Sequence, residues 1–381
     1  MLRIAFSLPD YIPYLLLIIV TILAFFLWQY PTSDRRLSLL AALAASIFGL
    51  TDWLMLAALP RLHLSYGAVS PGWSIMLFFR IGVLLIMAGA WTGLLHLKPL
   101  ARNRRTILGA LALWGFANLT VSVVAFDSMY LEPFRLQVTR LSLPGPAFLP
   151  ERPLRILHIT DSHVERITQR ERDVLAQAKA IQPDLIVLTG DYVNLDYLGE
   201  QTAIRETHEF YAGLHAPYGI YAVSGSVESP AGMRQLFEGL PVTILDNAVE
   251  RVPIDNLDLY ILGVTLRYNG SEAARLHALM GQVSAQAYTI LLYHKPDLIE
   301  AAAQEGIDLY FAGHTHGGQV QMPFIGPIIT LSAYGRKYAE GLHNLGPTTL
   351  YTSHGLGMEG FGLPRARFSC QPEMVVVELG K

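Results

Sequence analysis

Four long apolar runs before residue 130, at 12–28, 37–59, 73–97 and 107–126, limit what this chain can fold into more than any other feature. Each approaches the ~20 residues that carry a helix across a bilayer core. Short linkers separate them, so the series predicts a four-helix transmembrane region instead of the buried core of a soluble protein. Composition agrees: 52% of the 381 residues are hydrophobic and 15% are charged, and mean hydropathy is +0.34. The excess lies in the first third. The first run lacks a basic n-region and a small-residue cleavage site, so it reads as an anchor and not as a removed signal.

Basic residues give an expected orientation. Arg35 and Arg36 lie in the first loop, and Lys98, Arg102, Arg104 and Arg105 in the third; Arg3 and Arg61 lie on the other side. The positive-inside rule then places loops one and three in the cytoplasm and everything after Phe126 outside. A multi-pass cell-membrane protein with an extracytoplasmic C-terminal domain is expected, with the bilayer as partner. Asp52 and Arg80 fall inside the second and third runs, where charge is costly; the expectation is that they pair and lock two helices or lie near an interface, with a functional role as the alternative. A net charge of −3 gives no basic footprint for nucleic acid. The single cysteine, Cys370, excludes an internal disulfide and a cysteine-rich zinc site.

Residues 127–153 read as a linker with a leading strand, and 154–381 as a globular domain. Eight short apolar runs there are bounded by turn residues and predict strands: 154–160, 184–190, 219–225, 257–265, 288–294, 307–313, 348–355 and 373–379. Helical patterns at 170–182, 203–215, 272–281 and 297–306 alternate with them. That order implies an α/β sheet packed by helices.

Four of these runs end in a distinctive way. The first stops at Asp161-Ser162-His163, the second at Gly190-Asp191, the fifth at His294, and the sixth at Gly313-His314-Thr315-His316. In open α/β sheets ligands bind beyond the carboxyl ends of strands, so two carboxylates and four imidazoles are delivered to one edge. Carboxylate and imidazole without thiolate suit Mn, Fe or Zn. Asp191 is the candidate to bridge two ions, because Gly190 lets the backbone approach closely. Two divalent ions there would clamp a phosphoryl group and activate water. Gly317 and Gly318 permit the tight turn after His316.

This ordered set of motifs resembles the calcineurin-like metallophosphoesterases, and the run GHTHGGQ with the closing segment GLGMEGFGLPRARFSCQPEMVVVEL resembles a membrane-anchored bacterial branch of that family. The resemblance covers roughly residues 150–381. It implies a four-layer α/β/β/α sandwich in which Asp161, His163 and His316 hold one divalent ion, His294 and His314 hold a second, and Asp191 bridges them. Asp191 and His314 are the expected catalytic residues, acting through the ions.

One motif departs from the family's Gly-Asn-His-Asp/Glu, since the chain reads Gly225-Ser226-Val227-Glu228. Ser226 stands as a weaker candidate ligand in place of asparagine, and Val227 cannot move a proton. A metal-dependent hydrolase of phosphodiester or pyrophosphate bonds is therefore expected before one of alkyl monoesters, on a phosphorylated small molecule or lipid-linked substrate. The alternative is a catalytically degenerate metal-binding sensor or scaffold. Tyr192, Asn194 and His354 are expected to line the substrate pocket.

Overall fold

The computed structural model of the chain describes residues 35–65, 76, 80, 104–146, 152–254, 257–267, 269–360 and 365–380. Two compact units emerge: Met1–Tyr130 with Gly360–Arg365, and Leu131–Glu359 with Ala366–Lys381.

In the first unit, helices α1 (Arg35–Arg61) and α2 (Arg104–Phe126) contain the second and fourth apolar runs. The first run lies outside the described residues, and the third is described only at Met76 and Arg80, both helical. Among the described residues, one helical stretch, Ala112–Phe134, is long and apolar enough to cross a membrane by length and composition. That is one candidate span where the sequence leads one to expect four.

Among the described residues of this unit, exposed side chains are largely apolar, and strongly polar ones are buried beside Leu56, Leu59, Met76 and Trp114. Leu113, Phe116 and Val123 are exposed, whereas Asp52, Arg80 and Asn118 are buried. Arg80 forms an ion pair with Asp52, donating from Nε and, at 2.7 Å, from Nη2. It also donates to Asn118 Oδ1 at 2.9 Å and to Ser122 Oγ at 2.7 Å. The expected pair is thus present between α1 and helical Arg80, and Arg80's bonds to Asn118 and Ser122 extend it to α2. Arg80→Ala is expected to destabilise this unit by about 3–5 kcal/mol, because it leaves Asp52 buried without its cation. Asp52→Leu combined with Arg80→Met should recover most of that loss, and heating in detergent with aggregation as readout distinguishes the two variants.

The second unit is built on two six-stranded sheets. The first runs β1 (Gln137–Pro144), β14 (Glu373–Gly380), β2 (Leu154–Ile159), β3 (Leu185–Leu188), β4 (Ile220–Ala222), β5 (Val242–Ile244). The second runs β12 (Gly341–Leu345), β13 (Thr348–Thr352), β9 (Leu309–Ala312), β8 (Tyr288–Leu292), β7 (Leu259–Gly263), β6 (Ala248–Arg251). Their facing sides share one core, in which Ile156, Val187 and Val223 meet Ile261, Ile290 and Phe311. The outer face of the first sheet packs Leu157, Ile186 and Leu188 against Val174, Phe210 and Met233 of helices. The outer face of the second packs Leu262, Leu291 and Tyr310 against Leu276, Leu279 and Ile299. Strands buried on both faces read as continuous apolar runs, which is why the central strands were legible in the sequence. The layers are helix, sheet, sheet, helix.

β2, β3 and β4 are parallel, as are β7, β8 and β9. Within each sheet the chain therefore leaves these strands at one edge. A small hairpin, β10 (Gln321–Met322) with β11 (Gly326–Pro327), follows that edge after β9.

Candidate metal centre

The six residues delivered by strand ends converge. Asp161, His163 and His316 form one group of potential donors, and Asp191, His294 and His314 a second; within each, the donor atoms lie within 4.8 Å of one another. The first group comes from the turn after β2 and the turn after β9. The second comes from the ends of β3, β8 and β9.

Five of the six sit in left-handed backbone: Asp161 (φ 48), His163 (φ 40), Asp191 (φ 55), His314 (φ 70) and His316 (φ 51). Non-glycine residues in that region cost of order 1–3 kcal/mol each unless the surroundings hold them, and such strain gathers at functional sites. The turn reverses the chain immediately after each strand, folding a polar side chain back over the sheet edge. Gly190, at φ 100, lies where any Cβ would strike the backbone of Gly225, so the expected close approach is real. Gly317 and Gly318 also adopt positive φ, as the tight turn requires.

Hydrogen bonding fixes which atoms are free to ligate. His294 Nδ1 donates to the Thr189 carbonyl at 2.7 Å, which directs Nε2 at Asp191 Oδ2 (3.2 Å) and His314 Nδ1 (3.1 Å). In the first group, His163 Nδ1 lies 2.8 Å from Glu359 Oε1, and Nε2 faces His316 Nε2 at 3.1 Å. His316 Nε2 in turn lies 3.6 Å from Asp161 Oδ1. Carboxylate–imidazole backing of this kind orients a ligating histidine. Lone pairs converge in both places with few protein protons between them, an arrangement that a cation relieves. His316 Nδ1 is also buried without a hydrogen-bond partner among the described residues. The donor set therefore fits two divalent ions.

Electrostatics agree. Burial disfavours charge on His294, but the carboxylates of Asp191 and Asp161 outweigh it and raise the pKa to about 9. A proton on this ring does in part what an ion would do. Burial, reinforced by the neighbouring His294, lowers His314 to about 3, and burial with His163 nearby holds His316 well below its usual value. Both are thus neutral and able to donate lone pairs. Burial works to raise Asp191, yet His294 and His163 pull its pKa well below the usual carboxylate range.

The altered motif folds around Asp191. Ser226 Oγ donates to Asp191 Oδ2 at 2.9 Å, and the Val227 amide donates to Oδ1 at 3.1 Å. The serine hydroxyl is thereby committed to the central carboxylate. Glu228 turns away from the site and accepts from the amides of Tyr192 (2.6 Å), Gly225 (3.0 Å) and Asp191 (3.2 Å). It clamps the two turns together. Burial and then the Asp191 charge push its pKa up to about 7.

Two expected pocket residues belong elsewhere. Tyr192 is fully buried, donates its hydroxyl to the Val223 carbonyl at 2.6 Å, and stacks edge-on against Tyr211 and Phe237. It faces the core because the turn at Asp191 reverses the side on which the next residue lies. Asn194 is also fully buried; its Nδ2 donates to the Met358 carbonyl at 3.0 Å, and its Oδ1 accepts from the Asp196 amide. It caps a turn and pins the C-terminal segment. His354 does lie beside the site, against Gly317, but its Nε2 is 2.9 Å from Glu340 Oε2. Burial opposes its charge, while Cys370 and Glu340 raise its pKa to about 10.

Sequence reasoning missed Glu359 and Arg367. Both come from the closing segment, which has no strand or helix period to place it. Arg367 is fully buried and donates to the carbonyls of His354, Gly355 and Gly357 at 2.7–3.0 Å, and to that of Cys370 at 3.1 Å. The segment it grips hydrogen-bonds back to the first metal turn, Leu356 N to Thr160 O at 3.1 Å and Gly357 N to Asp161 O at 2.6 Å.

Comparison with known proteins bears on this geometry. Residues 154–318 match the family described as calcineurin-like phosphoesterase. The chain is 31% identical to the uncharacterized metallophosphoesterase YkuE of Bacillus subtilis, over 66% of this chain and 87% of that one. It is 28% identical to the phosphodiesterase YaeI of Escherichia coli, over 69% of this chain and 97% of that one. It is also 26% identical to the UDP-2,3-diacylglucosamine pyrophosphatase LpxG of Chlamydia trachomatis, over 71% of this chain and 94% of that one.

Proposed function

We propose, because this chain belongs to the calcineurin-like metallophosphoesterases, that it hydrolyses phosphodiester or pyrophosphate bonds with two divalent ions held by its two donor groups. The observation that carries this reading is the meeting of both groups where the strand ends of the two sheets come together, with Asp191 Oδ2 3.2 Å from His294 and 3.7 Å from His163. Asp161, His163 and His316 would hold one ion, His294 and His314 the other, and Asp191 would serve both. When bound, the ions supply Lewis-acid charge and activate water. The chain's own residues orient this centre. Thr189 sets the tautomer of His294, Glu359 lies 2.8 Å from His163 Nδ1, and the Ser226 hydroxyl with the 226–227 amides fixes the Asp191 carboxylate. Two relatives bearing the names phosphodiesterase and pyrophosphatase favour these bond types.

Val227 supplies no proton to a departing oxygen. General acid help is worth ~10²–10⁴-fold, so a diester or pyrophosphate with a stable leaving group suits the site better than an alkyl monoester. Ser226→Asn with Val227→His is expected to raise alkyl-monoester turnover by about 10²-fold while changing bis-aryl phosphodiester turnover little. No selective gain would mean that position 227 does not set the choice between monoester and diester. Val227 also favours a second reading, a metal-binding sensor or scaffold. Full stoichiometric ion binding with no turnover of diester or pyrophosphate would select it.

Ion binding should depend on pH in a definite direction. His294 is raised from 6.5 to about 9 in the folded chain without ions, so its proton stabilises that state fully below about pH 6.5, and the contribution is lost as pH rises through about 9. An entering ion must displace this proton. Affinity for Mn²⁺ should therefore rise by up to about tenfold per pH unit between 6.5 and 9 for this one proton. Calorimetry in buffers of different ionisation enthalpy counts the protons released; a pH-independent affinity would contradict the assignment of His294.

The apolar first third is proposed to anchor the enzyme through four spans with the C-terminal unit outside. Its support is the Ala112–Phe134 stretch, the exposed apolar and buried polar residues of α1 and α2, and the basic residues of loops one and three.

A further inference from the structure

The hairpin after the last metal turn has an unusual surface. Phe324, Ile325, Ile328, Ile329 and Leu331 are all more than half exposed, with Phe324 at the tip and Ile329 at 67%; Val320 and Met322 add to the patch. Scattered exposed hydrophobics are ordinary, but a contiguous group of this kind marks an interaction site. It is also firmly based. Gln321 N donates to Phe368 O at 2.9 Å, Phe368 N to Gln319 O at 3.0 Å, and Gln321 Nε2 to Gly317 O at 2.9 Å. The base is thus hydrogen-bonded to the residue next to His316.

Charge within the segment has one sign, although Asp297 accepts from Ser332 Oγ at 2.7 Å and Glu340 from Gln321 Nε2 on the side facing the protein. Residues 319–337 contain no Asp or Glu, and they end in Arg336-Lys337. Both cations are exposed, and Arg336 Nη1 donates to the Ile325 carbonyl at 2.9 Å, which sets the guanidinium at the foot of the apolar tip. Bulky apolar residues on a tip with cations at its foot fit an interface whose interior is hydrocarbon and whose surface carries anionic headgroups. A soluble anion has no use for the isoleucines, and a purely apolar partner has none for the cations.

We propose that the 320–331 hairpin docks into the surface of an anionic lipid bilayer, with Phe324, Ile325, Ile328 and Ile329 among the acyl chains and Arg336 and Lys337 at the headgroups. The docked hairpin holds the metal edge next to the bilayer surface. Its consequence for substrate class, a phosphoester carried by a membrane lipid, rests on the hydrolase reading; the docking itself does not.

The test uses the full chain reconstituted in phosphatidylcholine vesicles containing phosphatidylglycerol. A polarity-sensitive fluorophore is attached through Phe324→Cys, or through Lys179→Cys on an exposed outer helix as control, with unsubstituted chain as the labelling blank. The expected result is a blue shift at position 324 and quenching by nitroxide-bearing lipid, with neither at 179. A water-like spectrum at 324 would overturn the proposal. So would a blue shift without lipid quenching, which means that protein, including a second copy, covers the hairpin. In a second arm, the triple change Phe324→Ser, Ile328→Ser, Ile329→Ser should lower turnover of a vesicle-borne phosphodiester by at least about tenfold and leave a soluble bis-aryl phosphodiester unaffected. Equal loss on both substrates would count against docking. Wild-type failure on both would sink the hydrolase reading instead, and the fluorescence would still decide the docking.

Discussion

Replacing Asp191 with alanine is expected to lower metal-dependent turnover of a bis-aryl phosphodiester by about 10³-fold or more, the largest effect of any single side chain in the centre. Every other ligand belongs to one donor group, whereas Asp191 faces histidines of both, His294 at 3.2 Å and His163 at 3.7 Å. Its loss would therefore weaken both proposed ion sites together. It also removes the acceptor of the Ser226 hydroxyl and the Val227 amide, so the 225–228 turn loses its fixed partner. Ion affinity and turnover should fall together while far-UV circular dichroism stays unchanged, because the core lies between the sheets, away from the edge. Turnover within tenfold of wild type would contradict the role given to this carboxylate.

Arg367→Met is expected to cost about 3 kcal/mol or more, with ion affinity falling in parallel. The guanidinium is fully buried, and its partners are backbone carbonyls. Burial accordingly lowers its pKa. Methionine fills most of the volume but donates nothing, and each buried carbonyl left unsatisfied costs ~1–3 kcal/mol. The loosened 354–357 segment is the one that hydrogen-bonds to Thr160 and Asp161, so damage reaches the first donor group. Thermal unfolding with and without Mn²⁺ separates the effects. A pure stability loss would lower both transitions equally, whereas weaker ion binding also shrinks the gap between them.

Much of the globular unit was legible because its central strands are buried on both faces and end in abrupt turns. Continuous apolar runs such as Leu309–Ala312 need no neighbour to be recognised, and the Asp and His residues that follow them are of a ligand type. Strands β5, β6 and β12 were not legible: they are short and none is buried, β5 and β12 alternating between half-buried and exposed and β6 passing from half-buried to exposed along its length. Tyr192 was misplaced because sequence adjacency to Asp191 says nothing about the left-handed turn that sends the next side chain into the core. Glu359 and Arg367 were missed for a different reason. Their partners, His163 and the 354–357 carbonyls, are chosen by an irregular segment whose path depends on the finished fold. The apolar third was legible as composition, while its span count rests on runs of which two lie wholly or mostly outside the described residues.

If the strand ends of the two sheets hold two ions in two separable groups, a metal count on the loaded protein shows it. The full chain, purified in detergent, stripped of metal and reloaded with Mn²⁺, should bind two ions by elemental analysis. His316→Ala and His294→Ala should each retain one, and Asp191→Ala should hold neither firmly. No bound ion in the wild-type chain, or one ion that both histidine substitutions abolish, would contradict a two-ion centre built from these residues.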